Sequence, residues 1–190
     1  RGTAPSPHPL RVVDLPVAIE SEGNDNRNKA TPMEVPGVAT GIIEKPEDRD
    51  HFKFTAKKCQ VYYVRMHARS LGSPLDSIMR VQRATGGSVG GNDDDQGKPD
   101  SYIRFQAPED DDYVLQIEDH LKRGGEDFVY WVEITSPSPH VELELEEQRR
   151  YESQIVEIPQ GNRAAVMVSA ARRDASGPLR VQFGDLPPGV

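Results

Sequence analysis

Apolar and polar residues alternate along much of the chain between residues 50 and 134. Phe52 and Phe54 flank Lys53, and the segment Asp112–Glu118 alternates in the same way. A period of two is typical of a strand with one buried face. Such segments recur about every ten residues, with turn residues between them and no amphipathic helical pattern among them. The pattern predicts an all-β fold, either a sandwich or a barrel.

The apolar positions of these segments define the predicted core. Its members are Phe52, Phe54, Tyr62 or Tyr63, Leu115, Ile117 and Ile134. Tyr130 and Trp131 are neighbours on the last of these segments, so their side chains point to opposite faces of the strand. We expect Trp131 to be the one that packs in the core.

Proline-rich stretches divide the chain into three parts. Residues 1–19 form a leader with one strand, predicted at Arg11–Leu15 and ended by Pro16. Residues 20–135 hold the sandwich, and residues 136–190 begin with a Pro-rich linker and continue with a second, shorter β set. That second set offers about half the strands of a complete domain. Its open edges therefore predict self-association with another copy of the chain, or pairing with the leader strand.

The net charge of the chain indicates which kinds of ligand it can bind. The chain has 190 residues, of which 31 are acidic and 23 basic, for a formal net charge of −8. This charge disfavours nucleic acid, which needs a basic face, and suits divalent cations. No apolar run reaches the ~20 residues of a membrane-spanning helix. The first residues lack the apolar segment of a signal peptide, and the sequence reads as a piece of a longer protein.

An acidic segment near the start is the main candidate site. If the segment from Glu20 to Glu22 is extended, its two carboxylates lie on one face, about 6.6 Å apart. Asn24 and Asp25 add further oxygens at the turn after it. Calcium takes ~6–8 oxygen ligands in irregular geometry, so this set of residues suits it. The alternative is an acidic turn that is simply solvated.

Other motifs point to structural roles. The loop Asn92–Asp95 does not fit an EF-hand, because Gln96 stands at a ligand position, and we expect its side chains to cap turns. The segment Gly86–Gly90 matches Gly-x-Ser-x-Gly, but the acidic, glycine-flanked residues 91–97 cannot begin the helix that a nucleophile elbow requires. The five histidines show no metal-ligand spacing, and Cys59 is a lone cysteine expected in a turn. We therefore predict no catalytic residue in this chain.

Several short motifs occur one after another in a specific order. They are Glu20, Glu22, Asn24 and Asp25; Ala30-Thr31; Gly41-Ile42; Asp50, Phe52 and Phe54; Asn92, Asp93 and Asp94; Asp100-Ser101; and Asp112, Tyr113 and Leu115. In this order, over about 115 residues, they resemble the bacterial pre-peptidase C-terminal domain, a secreted β-sandwich module. The chain departs from the family pattern at Gly23, where Pro is frequent, and at Asp111 or Asp112, where Gly is frequent.

The resemblance implies a jelly-roll-like β-sandwich. Family members that bind calcium, notably the collagen-binding modules of collagenases, also use acids just before the Phe-x-Phe strand. This adds Glu47, Asp48 and Asp50 to the expected calcium ligands. Residues 139–190 resemble, more loosely, the start of an immunoglobulin-like domain. The resemblance implies that they form a partial Ig-like β segment.

We therefore expect a non-catalytic binding module, stabilised by calcium, in a larger secreted or surface protein. It would be extracellular, on the cell surface or periplasmic. Its partners would be an extracellular protein or a polysaccharide, together with other domains of the same chain. Two alternatives stay open, namely an accessory domain of a secreted hydrolase or peptidase and a structural spacer without a ligand.

Overall fold

The computed structural model describes residues 10–95, 97–145, 161, 165–182 and 184. Within them, short strands dominate and only two 3-10 turns occur, at Arg27–Lys29 and Arg69–Leu71. The strands are β1 Val17–Ile19, β2 Thr31–Pro32, β3 Gly37–Ile42, β4 Asp50–Ala56, β5 Val61–His67, β6 Ser77–Arg83, β7 Ser88–Asn92, β8 Tyr102–Gln106, β9 Asp111–Asp119, β10 Val129–Thr135, β11 His140–Leu145 and β12 Val168–Arg173. The predicted all-β fold is confirmed. No helix in the described part of the chain is long and apolar enough to cross a membrane.

The chain forms two compact units, Arg1–Pro137 and Ser138–Val190. The first unit is a sandwich of two five-stranded sheets. One sheet has the strand order β1-β3-β10-β5-β8, and the other has the order β2-β4-β9-β6-β7. The pairs β1/β3 and β2/β4 are parallel, and the remaining pairs are antiparallel. Both sheets thus end, on one side of the sandwich, in a very short parallel strand.

The alternating pattern of β4 places its aromatic rings between the sheets. Phe52 lies opposite Leu115 on β9, and Phe54 lies opposite Tyr113. All of the predicted core residues are buried, including both Tyr62 and Tyr63. The Phe105 ring centroid lies 5.0 Å from that of Tyr113 and 6.0 Å from that of Phe54, mostly in edge-to-face arrangements. Burial of these rings, together with their edge contacts, stabilises the pairing of the two sheets.

The strand predicted at Arg11–Leu15 is wrong. The leader strand β1 instead starts after Pro16, whose carbonyl accepts a hydrogen bond from the Val38 amide 2.9 Å away. Before it, Arg11 is drawn onto the outer face of the first sheet, where its guanidinium pairs with the buried carboxylate of Glu133 on β10. Proline here opens the strand rather than ending it, because its missing N–H costs nothing at a strand start.

The expectation that Trp131 packs in the core is also wrong. Tyr130 is the buried residue, with 2% of its surface exposed, and Trp131 is half-buried on the outer face of the sheet. Tyr130 lies opposite Gly41 on β3, where the absent side chain leaves room for the tyrosine hydroxyl. Trp131 donates its indole N–H to Glu133, 3.0 Å away.

The second unit contains a two-stranded antiparallel sheet, β11 with β12. Leu143 lies opposite Ala170 and Leu145 lies opposite Val168. Leu143 and Leu145 remain about half exposed. The partial immunoglobulin-like domain stays a prediction, because much of residues 146–190 falls outside the described part.

Candidate functional site

A buried tyrosine joins the leader to the sandwich at the predicted acidic site. The Tyr130 hydroxyl lies 2.7 Å from Asp50 Oδ2 and 3.0 Å from Glu20 Oε2. The other oxygen of Glu20 accepts the backbone N–H of Ile42 at 2.5 Å. Glu20 lies just after the end of β1 and Asp50 begins β4, so the contact joins residues from opposite sheets. The structure thus brings these two acids to the same hydroxyl group.

These three side chains must share protons. A phenol has one hydrogen to donate, so Tyr130 can satisfy only one of the two carboxylates at a time. Burial raises the pKa of Asp50 well above its usual range, and the neighbouring Glu20 carboxylate raises it further. Burial and the charges of Asp50 and Glu20 likewise raise the pKa of Tyr130. The pair of Asp50 and Glu20 therefore keeps a proton to a higher pH than exposed carboxyl groups do.

Further acids surround this contact. Glu22 is exposed, but the loss of some of its hydration, and then the charges of Glu44, Glu20 and Asp48, raise its pKa. We call Glu20, Glu22, Glu44, Asp48 and Asp50 the carboxylate cluster. Close carboxylates repel one another, and either protons or a cation relieve that repulsion. Lys45 supplies partial compensation, because its ammonium lies 3.8 Å from both Asp25 and Asp48.

Two of the predicted site residues have structural partners. Asp48 is buried and accepts the backbone N–H groups of Glu44 at 2.8 Å and of Arg49 at 3.1 Å, which fixes the turn before β4. Asn24 is buried as well, and its carbonyl oxygen lies 2.8 Å from Nδ1 of His51. Two buried atoms beside the cluster have no hydrogen-bond partner, namely Oδ1 of Asp50 and Nδ2 of Asn24.

The remaining predicted ligands lie at the surface. Glu22 and Asp25 are exposed, and Glu47 is exposed in a turn with a φ of 67°. Within the described residues, no group of three or more His, Cys, Asp or Glu side chains is arranged to hold a metal ion as it stands. The structure therefore brings Glu20, Asp48 and Asp50 to one region, with Glu22 beside them. It does not assemble a finished coordination shell.

Sequence reasoning missed three contributors to this site. The sequence indicated Tyr130 only as a strand residue and Gly41 only as part of a motif, and it gave no sign of Glu44. A side chain at Gly41 would overlap the Glu20 carboxylate and lie 2.5 Å from the Tyr130 hydroxyl. The signal that could have revealed the site is a glycine opposite an aromatic residue on the adjacent strand. That pairing can be recognised only once the register of the two strands is known.

The other motifs have the structural roles expected of them. Asn92 accepts the backbone N–H of Asp94 at 2.7 Å, which closes a turn. Gly86 and Gly87 both adopt positive φ in the connection from β6 to β7, and Ser88 begins β7. The Gly-x-Ser-x-Gly match is thus a hairpin turn that leads into a strand. Cys59 is exposed in the turn between β4 and β5.

Part of the chain is similar in sequence to a protease. No protein-family model matches the chain. In an alignment of 142 residues that covers 71% of the chain, the chain is 34% identical to a probable subtilase-type serine protease of Deinococcus radiodurans. The chain spans only 19% of the length of that protease.

Two solved structures are similar in fold. One is the pre-peptidase C-terminal domain of a collagenase from Bacillus anthracis, with 9% identity and a TM-score of 0.46, covering 56% of this chain and 94% of that domain. The other is PliG of Aeromonas hydrophila, a periplasmic inhibitor of g-type lysozyme, with 18% identity and a TM-score of 0.40, covering 56% of this chain and 96% of PliG.

Proposed function

We propose that this chain is a non-catalytic accessory module of a secreted or surface-attached protease, and that calcium at the carboxylate cluster fastens its leader to the sandwich. The observation that supports the accessory role most directly is the 34% identity to part of a probable subtilase-type serine protease. The order of family motifs across residues 20–134 supports the same role. The module would act outside the cytoplasm, next to the catalytic domain.

The chemistry of the carboxylate cluster supports the calcium part of the proposal. Hard carboxylate oxygens are the ligands that calcium prefers. Asp50 Oδ1 is buried without a hydrogen-bond partner, and rotation of the Asn24 amide would place an oxygen where its unpartnered nitrogen now lies. Glu20, Glu22 and Asp50 would hold the ion, with Glu44 and Asp48 adding negative charge. Asp50 would release its proton as the ion binds.

Calcium should therefore raise the melting temperature. A ligand that binds only the folded state adds about 2.7 kcal/mol at a hundredfold excess over its Kd. We expect millimolar calcium to raise the melting temperature by several degrees in scanning calorimetry. Magnesium should do much less, because it keeps its waters and requires a tighter octahedron.

Glu22→Gln and Asp50→Asn should abolish the calcium shift, whereas Asp94→Asn, in the turn closed by Asn92, should retain it. Superimposable melts in calcium and EDTA, with no heat in a calcium titration, would show that the cluster is a protonated acidic site without a metal. That result would leave the accessory role untouched.

The accessory role has its own test. In the full-length parent protease, deletion of residues 20–135 should leave cleavage of a short soluble peptide unchanged and slow the cleavage of insoluble protein substrates. The isolated chain should hydrolyse neither. If deletion affects neither substrate, the module is a spacer, and peptidase activity in the isolated chain would contradict the proposal directly.

A further inference from the structure

Two of the three residues of the edge strand β1 have backbone hydrogen-bonding groups that face away from its partner strand. β1 is in parallel register with β3, and hydrogen bonds extend the pairing at both ends, from the Val38 amide to the Pro16 carbonyl and from the Glu20 amide to the Thr40 carbonyl. Bonding in a strand alternates, so the N–H and C=O groups of Val17 and Ile19 point away from β3. No other strand in the described part of the chain pairs with β1. The Val17 and Ile19 side chains are 48% and 71% exposed.

A groove adjoins this edge on its inner side. It has a volume of about 360 Å³ and lies between β1 of one sheet and the end of β2 of the other, lined by Pro16, Val17, Ala18, Pro32, Met33 and Glu34. Ala18 and Met33 pack against the hydrophobic core, so the floor of the groove is apolar. In an added strand, the residue opposite Ala18 would point its side chain into this groove.

The charges around the edge select the kind of strand. Asp14 precedes β1 and Glu34 stands on the groove wall, and both are exposed. No basic side chain lines the groove. A second copy of this chain, with a net charge of −8, would bring like charges together along the edge.

We propose that β1 and its groove bind an extended polypeptide segment by strand addition, with an apolar side chain in the groove and basic residues on either side. Backbone bonds to Val17 and Ile19 would provide affinity, and the groove and the flanking acids would provide selectivity. This surface is separate from the carboxylate cluster, and the inference does not depend on calcium or on the accessory role.

The test uses the whole chain, labelled with ¹⁵N, and a capped peptide that has a central leucine between two valines and a lysine at each end. Binding should shift the amide resonances of Val17 and Ile19. N-methylation of the peptide bonds that face β1, or glutamate in place of the lysines, should weaken binding about fivefold or more.

The substitution Val17→Pro removes a hydrogen-bond donor from the protein, as N-methylation removes one from the peptide. It removes the outward N–H without touching the bonds to β3, and an edge strand tolerates proline at such a position. It should weaken peptide binding by a similar factor, while Val12→Pro, in the exposed part of the leader, should not.

Three results would overturn the inference. They are the absence of resonance shifts at millimolar peptide, equal binding of the N-methylated peptide, and shifts at Val17 and Ile19 that depend on protein concentration alone. The last of these would show that a second copy occupies the edge.

Discussion

At the scale of single residues, the main feature is the number of ionisable groups that fold inside or against the sandwich. Glu118 is buried, yet hydrogen bonds from Lys122 and Arg80 outweigh the effect of burial and lower its pKa to about 2. Glu133 is held in the same way by Arg11 and Trp131. For Asp50 the balance is the opposite, because burial and then the neighbouring Glu20 carboxylate raise its pKa by more than the hydrogen bond from Tyr130 lowers it. The pKa of a buried carboxyl group is thus lowered or raised according to its partners.

His67 should give stability a measurable pH dependence. Burial, and then the charge of Arg11, lowers the pKa of His67 from 6.5 to about 4. Its contribution is therefore complete above pH ~6.5 and is lost as the pH falls toward 4, because the unfolded chain takes up the proton first. For one proton, the slope cannot exceed about 1.4 kcal/mol per pH unit.

Urea unfolding of His67→Gln between pH 7 and 5 should show a flatter dependence than the parent chain. His120→Gln, which changes an exposed histidine, should leave the slope as it is. Parallel pH profiles for the parent and His67→Gln would mean that His67 is solvated and titrates normally.

At the scale of elements, the leader is joined to the sandwich by few groups with precise geometry. β1 has three residues, and Glu20 reaches across Gly41 to the Tyr130 hydroxyl and the Ile42 amide. The space for that carboxylate exists because residue 41 has no side chain. A strand this short gains little from its own backbone bonds, so its docking depends on the Glu20 contacts.

Gly41→Ala should therefore detach Glu20 without unfolding the sandwich. The new methyl group would displace the carboxylate, and we expect a loss of about 1–2 kcal/mol, typical of a buried hydrogen bond left unmade. Hydrogen exchange should rise at the β1 amides that face β3. Gly90→Ala is the matched control, because its added carbon would meet Ile103 only at 3.4 Å. Equal effects of the two substitutions would contradict a specific role for residue 41.

The elements also show what the sequence could and could not predict. The period-two pattern located β4 and β9 and their buried faces, because alternation is a local property that each strand carries by itself. The leader strand was predicted before Pro16 and lies after it, because a proline can either begin or end a strand. Tyr130 was assigned to the wrong face because the choice depends on the residue opposite it. Cross-strand register is set by the whole sheet, and no short stretch of sequence states it.

The carboxylate cluster was predictable only in part for the same reason. Glu20, Asp48 and Asp50 stand in acidic segments that the family resemblance singled out. Glu44 has no motif of its own, and the Tyr130 hydroxyl reaches the acids from a strand about 80 residues further along the chain. Contacts between sheets of this kind arise from packing rather than from sequence spacing.

At the scale of the whole molecule, the two units differ in how much each can stabilise itself. The hydrophobic core cluster runs from Ala39 to Ile134 and so belongs to the first unit. The sheet of the second unit has two strands in its described part, and an isolated two-stranded sheet is marginal in water.

A chain that ends at Pro137 should therefore unfold in urea at the same midpoint as the full chain. We expect the free energies of unfolding to agree within about 0.5 kcal/mol, because the sandwich has its own core. Light scattering of the two chains would test the predicted self-association, which should disappear with the second unit. A clear drop in the midpoint on truncation would show that residues 138–190 support the sandwich.

The parallel pairing of β1 with β3 also determines how the first unit would respond to mechanical load. β1 runs antiparallel to β10, and Val17 and Glu133 are both in register with Val38 on the strand between them. The chain therefore enters β1 and leaves β10 at the same end of the sheet. Tension between these two points would peel β1 away one bond at a time instead of shearing it. The Arg11–Glu133 ion pair would yield first and the few bonds of β1 next, and peeling would then stop at Glu20. The leader would thus lengthen under a small force while the sandwich behind it stayed folded.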